Sequence, residues 1–466
     1  MKTNFSLIII VLFLSSCSDN LNIVPITQKS ADNFYSSETE IESAITGLYA
    51  ILQNDGLYGL DMIGVGEVPG EDSFEEIAAN DGGRFGQLDD FSTNAANDLV
   101  SDIWRQSYRG IQRANVILNR IDPIDYSKSE TKNKRIGEVK FIRALLYFNL
   151  VRLYGDVPLV LEETTNPSVF FGQGRASYID VYAQIEKDLN ETVQNLDNVK
   201  VYGRPAKGAA LALLADVQMN QGNYQSAVAN LATVVNSNIY KLAPSTDKIF
   251  GVANEKNSEV LFEVVFQSGL DGNREGSQAA TQFRPSGVTG NAKGHNLPFT
   301  GFVNMYDTID TRKRDYVGVN PAKNPFYYST KYEVSSTGVT DGGTDYYVIR
   351  YTDVLLKYAE ALNETGNTAD AALQLNSVRK RAGLGDTNAA SKAEMRAAIE
   401  MERRFEFIGE GHRWFDLKRT GKAVATMNKW FADSGKNVVI NNNNLLLPIP
   451  QSQIDTDPAI TQNEGY

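Results

Sequence analysis

Residues 211–231 read LALLADVQMNQGNYQSAVANL, and residues 355–375 read LLKYAEALNETGNTADAALQL. Laying Gly222 on Gly366 brings Leu211 over Leu355, Ala215 over Ala359 and Asp216 over Glu360. The match continues with Asn223 over Asn367, Ala227 over Ala371 and Leu231 over Leu375. Each copy reads as a helix, a Gly-Asn turn and a second helix. Glycine at the turn can take the left-handed conformation that ends a helix. The alanine five positions later lets the second helix pack closely on the first. A chain organised around such pairs is mainly α.

That Gly-to-Ala interval resembles the tetratricopeptide (TPR) turn, although the full TPR consensus is absent. Helical periodicity also runs through much of the remaining chain. Residues 39–53 place Ile41, Ile45, Leu48 and Leu52 on one face, and 99–121 do the same with Ile103, Tyr108, Ile111, Ala114 and Leu118. In 136–154, Phe141, Leu145 and Phe148 widen the stripe of Val139, Ile142, Leu146 and Leu150 past half the circumference, so this helix should be deeply buried. Further helices are expected at 177–196, 205–220, 223–236, 350–364, 369–382, 391–408 and 412–431. Related pairs so far apart predict a scaffold interrupted by other material, not a continuous array. The interruptions are 55–98, rich in Gly, Asp and Asn, and 265–345, where 326–334 and 346–350 have strand character. Loops this long inside a compact domain are usually functional. The expected fold is mostly α: TPR-like helical pairs over about 30–250 and 346–431, with a long, irregular, variable insertion containing a few short strands.

The N-terminus has a different character. Lys2, the apolar run LIIIVLFL at 7–14 and the small Ser15 and Ser16 lead to Cys17, the single cysteine of the chain. Eight apolar residues fall short of the ~20 that span a bilayer, and the order of basic, apolar and small residues is that of an export signal. LSSC also resembles a bacterial lipobox, which implies removal of residues 1–16 and lipidation of Cys17. Residues 17–466 would then form a single domain tethered to a membrane by its lipid. A lone cysteine allows no internal disulfide. Net charge of −12 argues against nucleic acid or an anionic lipid surface as a partner.

Three stretches together resemble the SusD-like (RagB/SusD) family of Bacteroidetes outer-membrane nutrient-binding lipoproteins. They are EVKFIRALLYFNLVRLYGDVP at 138–158, IRYTDVLLKYAEALNETG at 349–366 and ERRFEFIGEGHRWFDLKR at 402–419. The spacing Trp104-x3-Tyr108-x2-Ile111-x3-Asn115, LPIP at 447–450 and TQNEGY at 461–466 are similar to the same family. The resemblance implies a surface-exposed lipoprotein that captures oligosaccharides and passes them to a TonB-dependent (SusC-like) outer-membrane transporter. A branch of the family thought to capture oligopeptides is the alternative.

The charged residues Glu402, Arg403, Arg404, Glu406, Glu410, His412, Arg413 and Asp416 read as an ion network that docks helices, not as a catalytic or metal centre. Asp310, Arg312, Tyr147 and Phe148 read as scaffold likewise. The two histidines, His295 and His412, lack HExxH-type spacing, and there is no GxSxG elbow. No enzyme activity, cofactor or metal site is expected.

Sugars present apolar C–H faces rimmed by hydroxyls, so a site needs flat aromatics among hydrogen-bonding side chains. The first interruption offers Tyr58, Asp72, Phe74, Asn80, Arg84, Phe85 and Asp89, and the second offers Phe283, Arg284, Asn291, His295, Phe299, Tyr327 and Tyr328. The expectation is that the two interruptions meet and form one shallow site. Arg84, Phe85 and Asp72 would line one wall, with Phe283, Arg284 and Phe299 opposite. Trp104 begins a helix beside the first loop, where packing competes with stacking as its role. No Trp lies in either interruption, which argues against a broad flat platform for long glucan-type chains.

Overall fold

The computed structural model describes residues 34–269, 275–320, 326–334 and 341–466. Cys17 and the signal segment lie outside them. The fold is mostly helical, with short two-stranded sheets.

The longer helices are α1 (Glu38–Leu52), α2 (Asp98–Arg120), α3 (Ser129–Tyr154), α4 (Tyr178–Asn195), α5 (Lys207–Asn220), α6 (Tyr224–Asn236), α7 (Tyr351–Glu364), α8 (Thr368–Arg381), α9 (Lys392–Glu406), α10 (Arg413–Arg419) and α11 (Ala423–Asp433). Each of α1 to α6 packs against its successor, and α7 packs on α6 as well as α8. The helical array is therefore interrupted in sequence, as expected, and continuous in space. Lys357 on α7 reaches across to Asp216 on α5 at 2.7 Å.

The paired turns are equivalent in detail. Gly222 has φ +76° and Gly366 φ +92°, values that favour glycine. Asn223 N–H donates to Gln218 O at 2.8 Å, and Asn367 N–H to Leu362 O at the same distance. Ala227 and Ala371 are fully buried, as close packing at that position requires. Helix α3 is apolar nearly all round at its C-terminal half and is enclosed on every side. The segment read as one helix over 412–431 is two: Gly421, at φ +69°, breaks it, and Thr420 Oγ1 donates back to Asp416 O at 2.7 Å.

Among the described residues the strands are β1 (Ser73–Phe74), β2 (Val260–Val264), β3 (Leu297–Pro298), β4 (Val317–Asn320), β5 (Phe326–Ser329) and β6 (Tyr346–Arg350), paired antiparallel as β1–β3, β2–β6 and β4–β5. β2, buried at all five positions, carried no alternating pattern by which to read it.

The first interruption is not a loose loop. Short helical turns at Asp55–Gly59, Asp61–Val65, Asn80–Gly83 and Gly86–Asp89 fold it against the scaffold, and Leu57, Ile63 and Val65 join the core. Gly66 lies against the Gly411 carbonyl, so a side chain there would collide with backbone.

The charge network is a helix dock, as read. Arg312 pairs with Asp310 at 2.8 Å, Glu402 at 2.6 Å and Glu406 at 3.2 Å. Arg403 bridges Asp353 and Asp416, and Arg413 holds Glu71 and Glu400. His412 lies against Phe407 with ring centres 4.5 Å apart, and burial pushes its pKa down to about 4, so the ring is neutral at pH 7.

Candidate functional site

The two interruptions meet through β1 and β3, with Ser73 opposite Pro298 and Phe74 opposite Leu297. Flanking backbone bonds extend the seam: Phe299 N–H to Asp72 O at 2.8 Å and Glu76 N–H to Gly294 O at 2.9 Å. Beneath it, His295 is fully buried between Glu75 at 2.8 Å and Asp81 at 2.9 Å. Asn80 Nδ2 donates to Lys293 O at 2.9 Å. His295, which the sequence offers among the ligand-facing residues of the second interruption, is instead the polar rivet of the seam. Burial pushes the Glu75 carboxyl upward.

Several residues expected to line the site are buried in this seam. Phe85 has no exposed surface; it stacks on His295 at 4.5 Å and meets Phe283 edge to face at 6.4 Å. These two rings face each other, as opposing walls would, but as core with no space between them. Gly64, which has no side chain, leaves the room that Phe85 fills. Arg84 is fastened to Asp61 and to Asp102 at 3.0 Å, and burial raises the Asp61 carboxyl to about 7 even beside Arg84. Asp72 is buried against Arg404, whose Nε donates to it at 2.9 Å. Trp104 is also buried, packed on Tyr108 and Tyr154 with ring centres about 5 Å away.

The surface above the seam carries a different set. Phe74 of β1 and Phe326 of β5 are half-buried with ring centres 6.0 Å apart. Tyr328 follows Phe326 by two residues and so shares its face of the strand. The Arg284 guanidinium sits over the Tyr328 ring at 4.6 Å. Phe299 remains 39% exposed and meets the edge of Trp430 on α11 at 6.0 Å. Of the residues expected to bind, Arg284 and Phe299 thus stay at the surface. Phe326 and Trp430 were not singled out, since one was read only as strand and the other lies on a helix remote in sequence.

This arrangement brings aromatic faces and a guanidinium together on one surface. Among the described residues no cluster of three or more His, Cys, Asp or Glu side chains is placed to hold a metal ion.

The comparisons with known proteins agree with this architecture. Residues 311–466 match the model of the SusD family, and residues 24–219 match a family described as starch-binding and associating with the outer membrane. The SusD-like protein P25 of Formosa agariphila is 27% identical, over 97% of this chain and 97% of its own. The starch-binding protein SusD of Bacteroides thetaiotaomicron is 23% identical, over 97% and 96%. A solved laminarin binding SusD-like protein superposes with a TM-score of 0.79 at 28% identity, covering 93% of this chain and all of that one. Between them the two family models cover residues 24–219 and 311–466, and the chain is similar to SusD-like proteins along nearly its whole length.

Proposed function

We propose that this protein is a non-catalytic capture lipoprotein of the outer membrane. It is held by a lipid on Cys17, faces the exterior, and binds oligosaccharides for delivery to a TonB-dependent transporter. The observation that carries the reading is the surface of Phe74, Phe326, Tyr328 and Arg284, raised where two interruptions far apart in sequence close on each other. Aromatic faces cover the apolar side of a sugar ring, and the guanidinium donates hydrogen bonds to its hydroxyls. The likeness to a laminarin binding protein supports sugar over peptide. No helix of the described residues is long and apolar enough to cross a membrane, which is consistent with attachment through lipid.

Calorimetric titration with laminarin and starch oligosaccharides tests the reading. Binding by the wild type that falls in Phe326→Ala and Tyr328→Ala is the expected result. A wild type that binds oligopeptides and no sugar would transfer the function to peptide capture.

A further inference from the structure

A second groove, sharing no lining residue with the loop surface, runs along α2. Its volume is about 780 Å³, and its walls are α2, the segment 158–174 and the C-terminal segment around 452–460. Tyr108, Phe170 and Phe171 supply aromatic surface, and Phe171 is 58% exposed. Tyr108 is held in place by its hydroxyl, which donates to Pro158 O at 2.7 Å.

The charge of this groove opposes that of the protein. The chain carries a net −12, yet Arg105, Arg109 and Arg113 line the groove at successive i, i+4 positions, about 6 Å apart along the helix. Arg105 is paired with Asp102, which Arg84 shares. Arg109 and Arg113 have no carboxylate partner among the described residues: Arg109 donates to Gln106 Oε1 at 3.3 Å and Arg113 to the Gly47 carbonyl. Asp457 is the single acid among the lining residues. Its two oxygens accept from Gly172 N–H at 2.8 Å and Ala459 N–H at 2.9 Å, so it is turned into backbone.

We infer that this groove binds an anionic oligosaccharide, one bearing uronate carboxylates or sulfate esters. The choice of sugar rests on the capture reading above. Guanidinium groups bind planar carboxylate and sulfate-like oxyanions through paired N–H donors, while the aromatic walls take the apolar faces of the rings. No strand edge lines the groove, so it offers no ladder to an extended peptide.

The test is titration of the full chain with an oligogalacturonate, a sulfated carrageenan oligosaccharide, a neutral laminarin oligosaccharide and poly-glutamate. Wild type should bind at least one of the first two, less tightly as ionic strength rises. The Arg109→Gln/Arg113→Gln variant should lose roughly tenfold in affinity per arginine and keep wild-type binding of laminarin oligosaccharide. Binding of the galacturonate alone assigns the carboxylate, and binding of the carrageenan alone assigns the sulfate ester. Absence of binding by both, or equal affinity in the double variant, overturns the inference; so does poly-glutamate binding as tightly as the sugars. Loss of anionic binding in Tyr328→Ala and not in the arginine variant overturns it also, by placing the charge recognition on the loop surface. Laminarin binding without any anionic binding sinks this inference and leaves capture intact.

Discussion

Arg350 donates through Nη1 to Glu406 Oε1 at 2.9 Å, with both side chains sealed from water. The pair ties β6 to the end of α9. Glu406 also meets Arg312 and Arg381, while Arg350 takes two further bonds to Glu410, at 2.8 Å each. A buried set of this kind adds little net stability over apolar packing, but losing one member strands the others.

Glu406→Ala is therefore expected to lower stability by about 3–5 kcal/mol, and Arg413→Ala by about 2–4 kcal/mol. Burial alone would raise the Glu406 carboxyl, but Arg381, Arg350 and Arg312 outweigh it and hold the group well below the ordinary glutamate range. Its contribution is thus present above pH 4.5 and is lost as pH falls below that value. Urea unfolding from pH 7 downward should show a shallower acid loss in Glu406→Gln than in wild type. Equal slopes would mean the carboxylate is not stabilised by these arginines.

Lys418 gives a pH dependence of the other sign. Its ammonium donates to the Arg152 carbonyl, and burial, with Arg152 nearby, pushes its pKa down to about 7. The unfolded chain then binds the extra proton between about pH 7 and 10.5, so this group's contribution rises with pH across that window and its cost is full below it. The residue keeps some contact with water, so Lys418→Met should gain only about 1–2 kcal/mol at pH 6. The gain should vanish by pH 10. A gain of the same size at both pH values would show that packing, not titration, is responsible.

Two phenylalanines of the interruptions should behave oppositely. Phe85→Ala removes a fully buried ring and is expected to cost about 3–5 kcal/mol of stability. Phe326→Ala should barely move the melting temperature but weaken oligosaccharide binding by about 1–3 kcal/mol. Thermal melts beside calorimetric titration separate the two effects. Unchanged sugar affinity in Phe326→Ala would place the loop site elsewhere.

For Cys17→Ala, the expected outcome is release from the outer-membrane fraction or retention of an uncleaved signal. Fractionation with the outer membrane and undiminished fatty-acid labelling would rule out lipidation at this position.

Much of the scaffold was legible because its information is local. A 3.6-residue apolar period and the recurrent Gly-Asn turn announce helix pairs within a window of some twenty residues, as at Gly222 and Gly366. The alternating charges at 402–416 likewise read as a dock before any partner was known. Arg312, at 90 positions from Glu402, completes it in space.

What only the tertiary structure decided is which side of each loop residue faces water, and which distant segments touch. Phe74 and Phe85 sit eleven positions apart in one Gly- and Asp-rich stretch, and nothing local separates them. Phe85 is core because Gly64 leaves a space for its ring and His295 closes over it; Phe74 is at the surface because β1 turns it toward Phe326. The same applies to α6 and α7, neighbours in space across more than a hundred residues of chain. Periodicity reports a helix's own apolar stripe, whereas the partner that covers the stripe is chosen by long-range packing, on which local sequence is silent.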